Sequence, residues 1–252
     1  MKVSAIFDFL NSFAPVSIQE SFDNAGFLFG DKNAATDRVL LSLDCTSDVI
    51  DEAISKGCGL IITHHPLIWG SFKNVLADNS TGKKLLKLGA AGISVISMHT
   101  NLDKVLVNDV LAERIGLNNI KGGTEDEMMR TGTLNAPCPI SSFLKSCKEA
   151  LNANGIRYYD SGREVYKIAC LGGAGGEFIN EAFKLGCDTY ITADCPHHIF
   201  LEAKELGINL IDANHFCEED PVMYALQTKL SSQFPGVSFS VADNDKQVIE
   251  YA

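Results

Sequence analysis

The chain has 252 residues, 46% hydrophobic and 21% charged, the proportions of an ordinary globular protein. A core of this size closes without staples, which excludes a disordered tail or a disulfide-held miniprotein. Twenty-one Lys and Arg against 32 Asp and Glu leave a formal net charge of -11, which argues against binding duplex DNA or an anionic membrane, since either needs a basic face.

At the start of the chain, Val3, Ile6, Phe7, Leu10 and Phe13 recur at helical spacing, which predicts an amphipathic helix packed on the core. Asp8 interrupts any apolar stretch of a signal peptide. No run of about 18 uncharged apolar residues offers a membrane span. A cytoplasmic location is expected. The eight cysteines form no C-x-x-C pair, and several sit in apolar runs, as Cys58 does between Gly57 and Gly59 ahead of Leu60. They read as small buried hydrophobes in a reducing compartment.

Further along, the chain repeats itself. Residues 51–63 align with residues 180–192, and Glu, Ala, Gly, Cys, Ile and Thr coincide at six of thirteen positions. An apolar strand precedes each copy, over 38–44 and 166–171. A helix-to-strand step follows each: 84–89 into 92–99 in the first, and 203–207 into 208–215 in the second. Each half therefore reads strand, helix, strand, helix, strand, with glycine at the helix ends and continuous apolar strands suited to a sheet covered on both faces. The expected fold is α/β: two related α/β halves packed together, residues 1–125 and 126–252, joined near 124–133. A tail helix begins at Pro221, with proline in its first turn. The alternating strand over 237–241 follows, placed so that it can cross back to the first half.

In open α/β sheets the ligand site lies beyond the carboxyl ends of the strands. All six histidines fall at such ends: His64 and His65, His99, His197 and His198, and His215. His99-x3-Asp103 and His215-x3-Glu219 occupy corresponding places in the two repeats. On a helical turn, an imidazole and a carboxylate four residues apart face the same way, a ligand geometry. Side chains of the adjacent His64 and His65 diverge, so each suits its own ion in a two-metal site. A carboxylate from Asp103 or Glu219 could bridge the two ions at the roughly 3.5–4 Å spacing of dinuclear hydrolases. A His/carboxylate set without thiolate suits Zn, Mn or Fe as divalent ions.

These blocks carry a family resemblance. Glu20-Ser21-Phe22-Asp23-Asn24-Ala25-Gly26-Phe27 resembles the W-D-N-x-G-L opening of the Nif-three-like dinuclear metal-binding family. The match continues in family order through Leu43-Asp44-x-Thr46, Ile62-Thr63-His64-His65-Pro66, His99-Thr100-Asn101-Leu102-Asp103 and Asp212-x-x-His215-x3-Glu219. Members are commonly named GTP cyclohydrolase I type 2. The resemblance implies metal ligands at His64, His65, Asp103, His215 and Glu219, and two divalent ions per subunit in a dinuclear site between the halves. It also implies a ring-shaped homohexamer and the short form of the family, without a mid-chain inserted domain. Three departures stand out: Phe22 for the usual tryptophan, Asn214 for the glycine before His215, and Ala193 for glycine before Asp194.

The function these readings support is a dinuclear divalent-metal hydrolase. Two ions lower the pKa of a shared water toward about 7; in the GTP cyclohydrolase reading, the resulting hydroxide attacks guanine C8 and formate leaves. His99 and His198 are the candidates for proton transfer or for orienting ligands. The substrate is expected to be a small molecule, a nucleotide or another cyclic or phosphorylated compound, with no membrane or nucleic-acid partner. The alternative is a non-catalytic metal-binding scaffold or metallochaperone. The glycine-rich run 172–176 is either a phosphate cradle or a tight turn, without the G-x-G-x-x-G or P-loop pattern. Trp69, the only tryptophan, either stacks on a substrate base or anchors packing or an interface.

Overall fold

The computed structural model describes residues 1–124 and 128–251. Helix α1 (Val3–Phe13) leads into β1 (Gly26–Phe29), β2 (Arg38–Ser42), α2 (Ser47–Lys56), β3 (Leu60–Thr63), α3 (Ser80–Ala91) and β4 (Ser94–Ser97). A short helical turn, α4 (Thr100–Leu102), and a π-helical turn (Asp103–Val107) connect to α5 (Asn108–Arg114). There follow β5 (Asn118–Gly122), β6 (Arg130–Cys138), α6 (Ile140–Ala150), β7 (Arg157–Tyr159), β8 (Val165–Cys170), α7 (Ile179–Lys184), β9 (Thr189–Thr192), α8 (His197–Leu206) and β10 (Asn209–Asp212). The chain closes with α9 (His215–Glu219), α10 (Pro221–Gln233) and β11 (Ser238–Val241). Two compact units result: Met1–Leu102 with Met223–Lys246, and Asp103–Val222 with the chain end from Gln247. The junction expected between residues 125 and 126 lies outside the described residues.

The first unit holds a five-stranded sheet in the order β1-β4-β3-β2-β11. Strands β11, β2, β3 and β4 run parallel, and β1 pairs antiparallel with β4. Because both faces are covered, β3 and β4 bury every residue, as does β2 after Arg38. Alternation sends Leu40, Ile61 and Val95 to one face, where they meet Val49, Ile50 and Ala53 of α2 and Leu85 and Leu88 of α3. Each such fully buried leucine or isoleucine stabilises by about 1.5–3 kcal/mol. Helix α1 follows the expected spacing and buries Val3, Ile6 and Leu10. Helix α3 is longer than the 84–89 segment read from sequence. Gly89 lies inside it, and Gly92, at φ +68°, takes the left-handed cap.

The second unit holds a six-stranded sheet in the order β5-β6-β8-β9-β10-β7. Its parallel centre, β8-β9-β10, is flanked by antiparallel β6 and β7. Ile168, Cys170, Ile191 and Ile211 pack on the side of Leu111 of α5 and Phe143 of α6. Ala169, Tyr190 and Leu210 pack on the other side with Ala182 of α7 and Ala203 of α8. The strand-helix-strand-helix-strand repeat is therefore β2-α2-β3-α3-β4 in one unit and β8-α7-β9-α8-β10 in the other. The aligned glycines 57 and 186 both have left-handed backbones. The antiparallel strands β1, β5, β6 and β7 were not legible beforehand: β1, β5 and β7 are only three to five residues long, and β6 carries no apolar run.

Candidate metal centre

Every histidine lies just beyond the carboxyl end of a parallel strand, as the sequence leads one to expect. His64 and His65 follow β3, and the ladder extends into them: their N–H groups donate to Ser42 and Leu43 carbonyls at 3.2 and 2.9 Å. His99 follows β4, whose ladder likewise runs on, with Met98 N–H donating to Thr63 O at 2.8 Å. Thr63 locks this edge by donating its hydroxyl to His65 O at 2.7 Å while sharing a hydrogen bond with Ser97 Oγ. The imidazoles of His64, His65 and His99 come together in this unit, their ligand nitrogens within 4.8 Å of one another.

The orientation of the rings is fixed from behind. His64 Nδ1 bonds Met98 O at 2.8 Å, His65 Nδ1 bonds Asp44 Oδ1 at 2.9 Å, and His99 Nδ1 bonds Asp23 Oδ1 at 2.8 Å. Against an oxygen acceptor Nδ1 carries the proton, so Nε2 is the nitrogen a metal would take. Asp23 is itself held by Thr100, whose N–H donates to Oδ2 at 3.0 Å and whose hydroxyl donates to the same oxygen. Asn24 Nδ2 donates to Ile68 O at 2.8 Å and ties the D-N motif to the loop that carries Trp69.

Burial alone would favour the protonated Asp23. The hydrogen bonds from His99 and Thr100 outweigh it, as does the His99 charge, and the carboxyl is held down to about 2. A depressed carboxylate contributes stability above its unfolded pKa and loses it as pH falls through the folded one. Asp23→Asn should therefore cost about 2 kcal/mol at pH 7. That gap should close as pH falls from about 4 to about 2. Urea midpoints of both proteins across this range test it; a gap that does not depend on pH would refute the assignment.

In the second unit the expected His-x3-Glu pair forms on the single turn of α9. His215 Nε2 lies 3.0 Å from Glu219 Oε2, and His215 Nδ1 lies 2.7 Å from Asp194 Oδ2. Burial pulls the imidazole down, but the Glu219 and Asp194 carboxylates push its pKa up to about 11. Asp103 opens the π-helical turn, buried at 6% exposure, and its carboxylate lies within 4.8 Å of that of Glu219. π-Turns inside helices are frequent at functional sites.

The 172–176 run forms a tight turn beside Glu219 and His215. Gly172 N–H donates to Asn108 Oδ1 at 2.7 Å, and Gly175 N–H donates to Gly173 O and Thr192 Oγ1. Those N–H groups are spent inside the protein. Gly173 has φ +77°, and a Cβ there would sit 2.4 Å from Glu219 Oε1. The missing side chain is what lets Glu219 stand where it does. Two neighbouring residues adopt left-handed backbones without being glycine, Asp194 at φ +50° and Asn214 at φ +82°. Asn tolerates this region better than other side-chain-bearing residues.

The donor set therefore fits divalent metal ions: imidazoles anchored through Nδ1, buried carboxylates and no thiolate. His198 is placed differently from His99. With His197 it lies exposed on the first turn of α8, and among the described residues neither joins a group of three or more clustered ligand atoms. Trp69 is 59% exposed, so it is no core anchor, and its ring stands edge-on to His99 at 5.6 Å. Phe22 is also exposed and lies 6.4 Å from Trp69. Sequence reading missed the roles of Asp23, Asp44 and Asp194 as imidazole partners, although Asp23 and Asp44 lie in the motif blocks quoted above and Asp194 follows the Ala193 departure.

The chain is 35% identical over 240 residues to a GTP cyclohydrolase 1 type 2 homolog of Clostridium acetobutylicum, covering 91% of this chain and 90% of the relative. A protein of the same name from Clostridium perfringens is 34% identical over the full length of both chains. The crystal structure of a Staphylococcus aureus hypothetical protein matches at a TM-score of 0.92 with 29% identity, covering 100% of this chain and 99% of that one. The family model Duf34/NIF3 (NGG1p interacting factor 3) matches residues 1–247, and the chain belongs to that family.

Proposed function

We propose that the chain is a divalent-metal-dependent hydrolase that holds two metal ions through His64, His65, Asp103, His215 and Glu219. The observation that carries the reading is the anchoring of His64, His65, His99 and His215 through Nδ1, which prepares each ring to offer Nε2. When bound, such ions supply a lowered water pKa and Lewis-acid polarisation of an electrophile. The chain's own residues do the rest. Asp23 Oδ1 holds His99 at Nδ1, which leaves Nε2 as the atom through which His99 would take up and return a proton. His198, on the first turn of α8, is carried as a further candidate proton carrier.

The name of these relatives supports a nucleotide-like small molecule as substrate, with GTP the first to test. GTP cyclohydrolase chemistry would open the guanine imidazole ring at C8 and release formate. The resemblance also supports a homohexamer, which light scattering would register as six times the single-chain mass. All eight cysteines are free, the usage of a reducing compartment, which supports a cytoplasmic location. Among the described residues no helix is long and apolar enough to cross a membrane.

The deciding experiment incubates metal-loaded protein with GTP and a panel of cyclic and phosphorylated compounds. Formate or another product that disappears in His64→Ala is the expected result. Tight metal binding with no product from any compound would favour the scaffold or metallochaperone. His65→Ala purified with unchanged metal content would end the two-ion model.

A further inference from the structure

Between Ala242 and Tyr251 the described residues form no regular secondary structure, yet several are fastened in turn. Asp243 and Asn244 donate their N–H groups to the buried carboxylate of Glu52 on α2, at 2.9 and 2.8 Å. Asp245 turns its carboxylate onto the end of β2, where one oxygen accepts the N–H groups of Leu43 and Asp44 at 2.5 and 3.1 Å. Asp44 is the residue that holds His65 Nδ1. Two residues later, Gln247 Nε2 donates to Asn214 Oδ1. Asn214 is the left-handed residue immediately before His215. The tail thus touches the residue behind one metal-site imidazole and the residue ahead of another.

We propose that residues 243–247 are a positioning strap: Asp245 fixes the backbone that aims Asp44 at His65, and Gln247 fixes the strained backbone that presents His215. The physical reason lies in the geometry of the two loops. Strand β2 ends at Ser42, so the N–H groups of Leu43 and Asp44 lie past its last ladder pair. Buried N–H groups need an acceptor, and a carboxylate makes the stronger, charge-assisted kind of bond. A non-glycine residue at φ +82° persists only where its surroundings hold it, and the Gln247 amide is one such restraint. Neither residue would touch metal or substrate. Each acts through the residue it holds, as outer partners of metal ligands do.

The inference rests on the metal-site reading, so the test includes a readout that needs no metal. In metal-free full-length protein, nitrogen-15 NMR of the imidazoles reports tautomer and order ring by ring. Asp245→Ala should blur the Nδ1–H tautomer of His65 and leave His99 unchanged, since Asp23 holds that ring independently. Gln247→Ala should disturb His215 alone. Titrated with zinc, each variant should bind about 10- to 100-fold more weakly, the usual cost of an outer partner. Asp245→Asn, which keeps an acceptor oxygen, should recover part of the loss. Unchanged His65 and His215 signals in the two alanine variants would overturn the strap. So would equal disturbance of every imidazole, which marks general loosening. If the imidazoles respond as expected but wild-type protein binds no zinc, the strap stands and the metal reading fails.

Discussion

Glu219→Ala is expected to weaken divalent-metal binding by on the order of 100-fold or more, because removal of even an outer partner costs 10- to 100-fold. Glu219 is 3% exposed, contacts His215 Nε2 directly, and has its carboxylate close to that of Asp103. Its loss would remove both the proposed ligand and a charge that would draw a cation in. Isothermal titration with zinc or manganese, with metal content measured after dialysis, tests this; wild-type stoichiometry and affinity in the variant would sink the ligand assignment. A second signature needs no metal. His215 is held up to about 11 by its two carboxylates against the pull of burial. A raised imidazole contributes stability that is full below its unfolded pKa, near 6.5, and is lost as pH rises through about 11. Without Glu219 the folded pKa drops, so the metal-free parent's melting temperature should fall steadily between pH 7 and 10, while the variant starts lower and stays flatter over that range.

Gly173→Ala is expected to destabilise the protein by about 2–5 kcal/mol, combining a left-handed backbone penalty with overpacking. The added carbon would meet Glu219 Oε1 at 2.4 Å and His215 Nε2 at 3.4 Å. The turn has little freedom to retreat. Gly173 O accepts bonds from Gly175 N–H, Ala193 N–H and the Thr192 hydroxyl at 2.8 to 2.9 Å. The carboxylate must move instead, so metal affinity should fall along with stability. Gly162→Ala is the matched control, since Gly162 has φ +81° and nothing within 4 Å of its added carbon. It should cost only the backbone part, about 1–2 kcal/mol, and leave metal binding intact. Equal losses in both variants, by urea melts and zinc titration, would show that Gly173 is conformational and does not make room for Glu219.

The parallel cores of both units were legible because burial on two faces writes an uninterrupted apolar run, and because strand ends in α/β sheets collect ligand-type residues. That logic located all six histidines. It also found the His215–Glu219 pair, where spacing alone fixes the geometry on one helical turn. The partners behind the rings were less accessible. Asp23 reaches His99 across 76 residues and Asp194 reaches His215 across 21, contacts set by loop packing that no local period encodes. The tail was silent for the same reason: residues 243–247 act through single hydrogen bonds, without an apolar stripe. The glycine run 172–176 was ambiguous in sequence because a phosphate cradle and a close approach call for the same residue. Only the position of Glu219 separates them.

The pairing of β11 with β2 bears on how the protein is made. Ser238–Val241 lies beside Arg38–Leu41, so the first sheet joins segments some 200 residues apart in the chain. Closing so long a loop is slow relative to local pairing. During synthesis, the strands of the second sheet, all between Asn118 and Asp212, leave the ribosome before β11 does. The unit that begins the chain is thus the last to be completed, and until then β2 has an open edge. That edge is the exposed face a nascent chain must keep from pairing with a neighbour. A chain truncated before residue 238 would keep β2 in that state permanently.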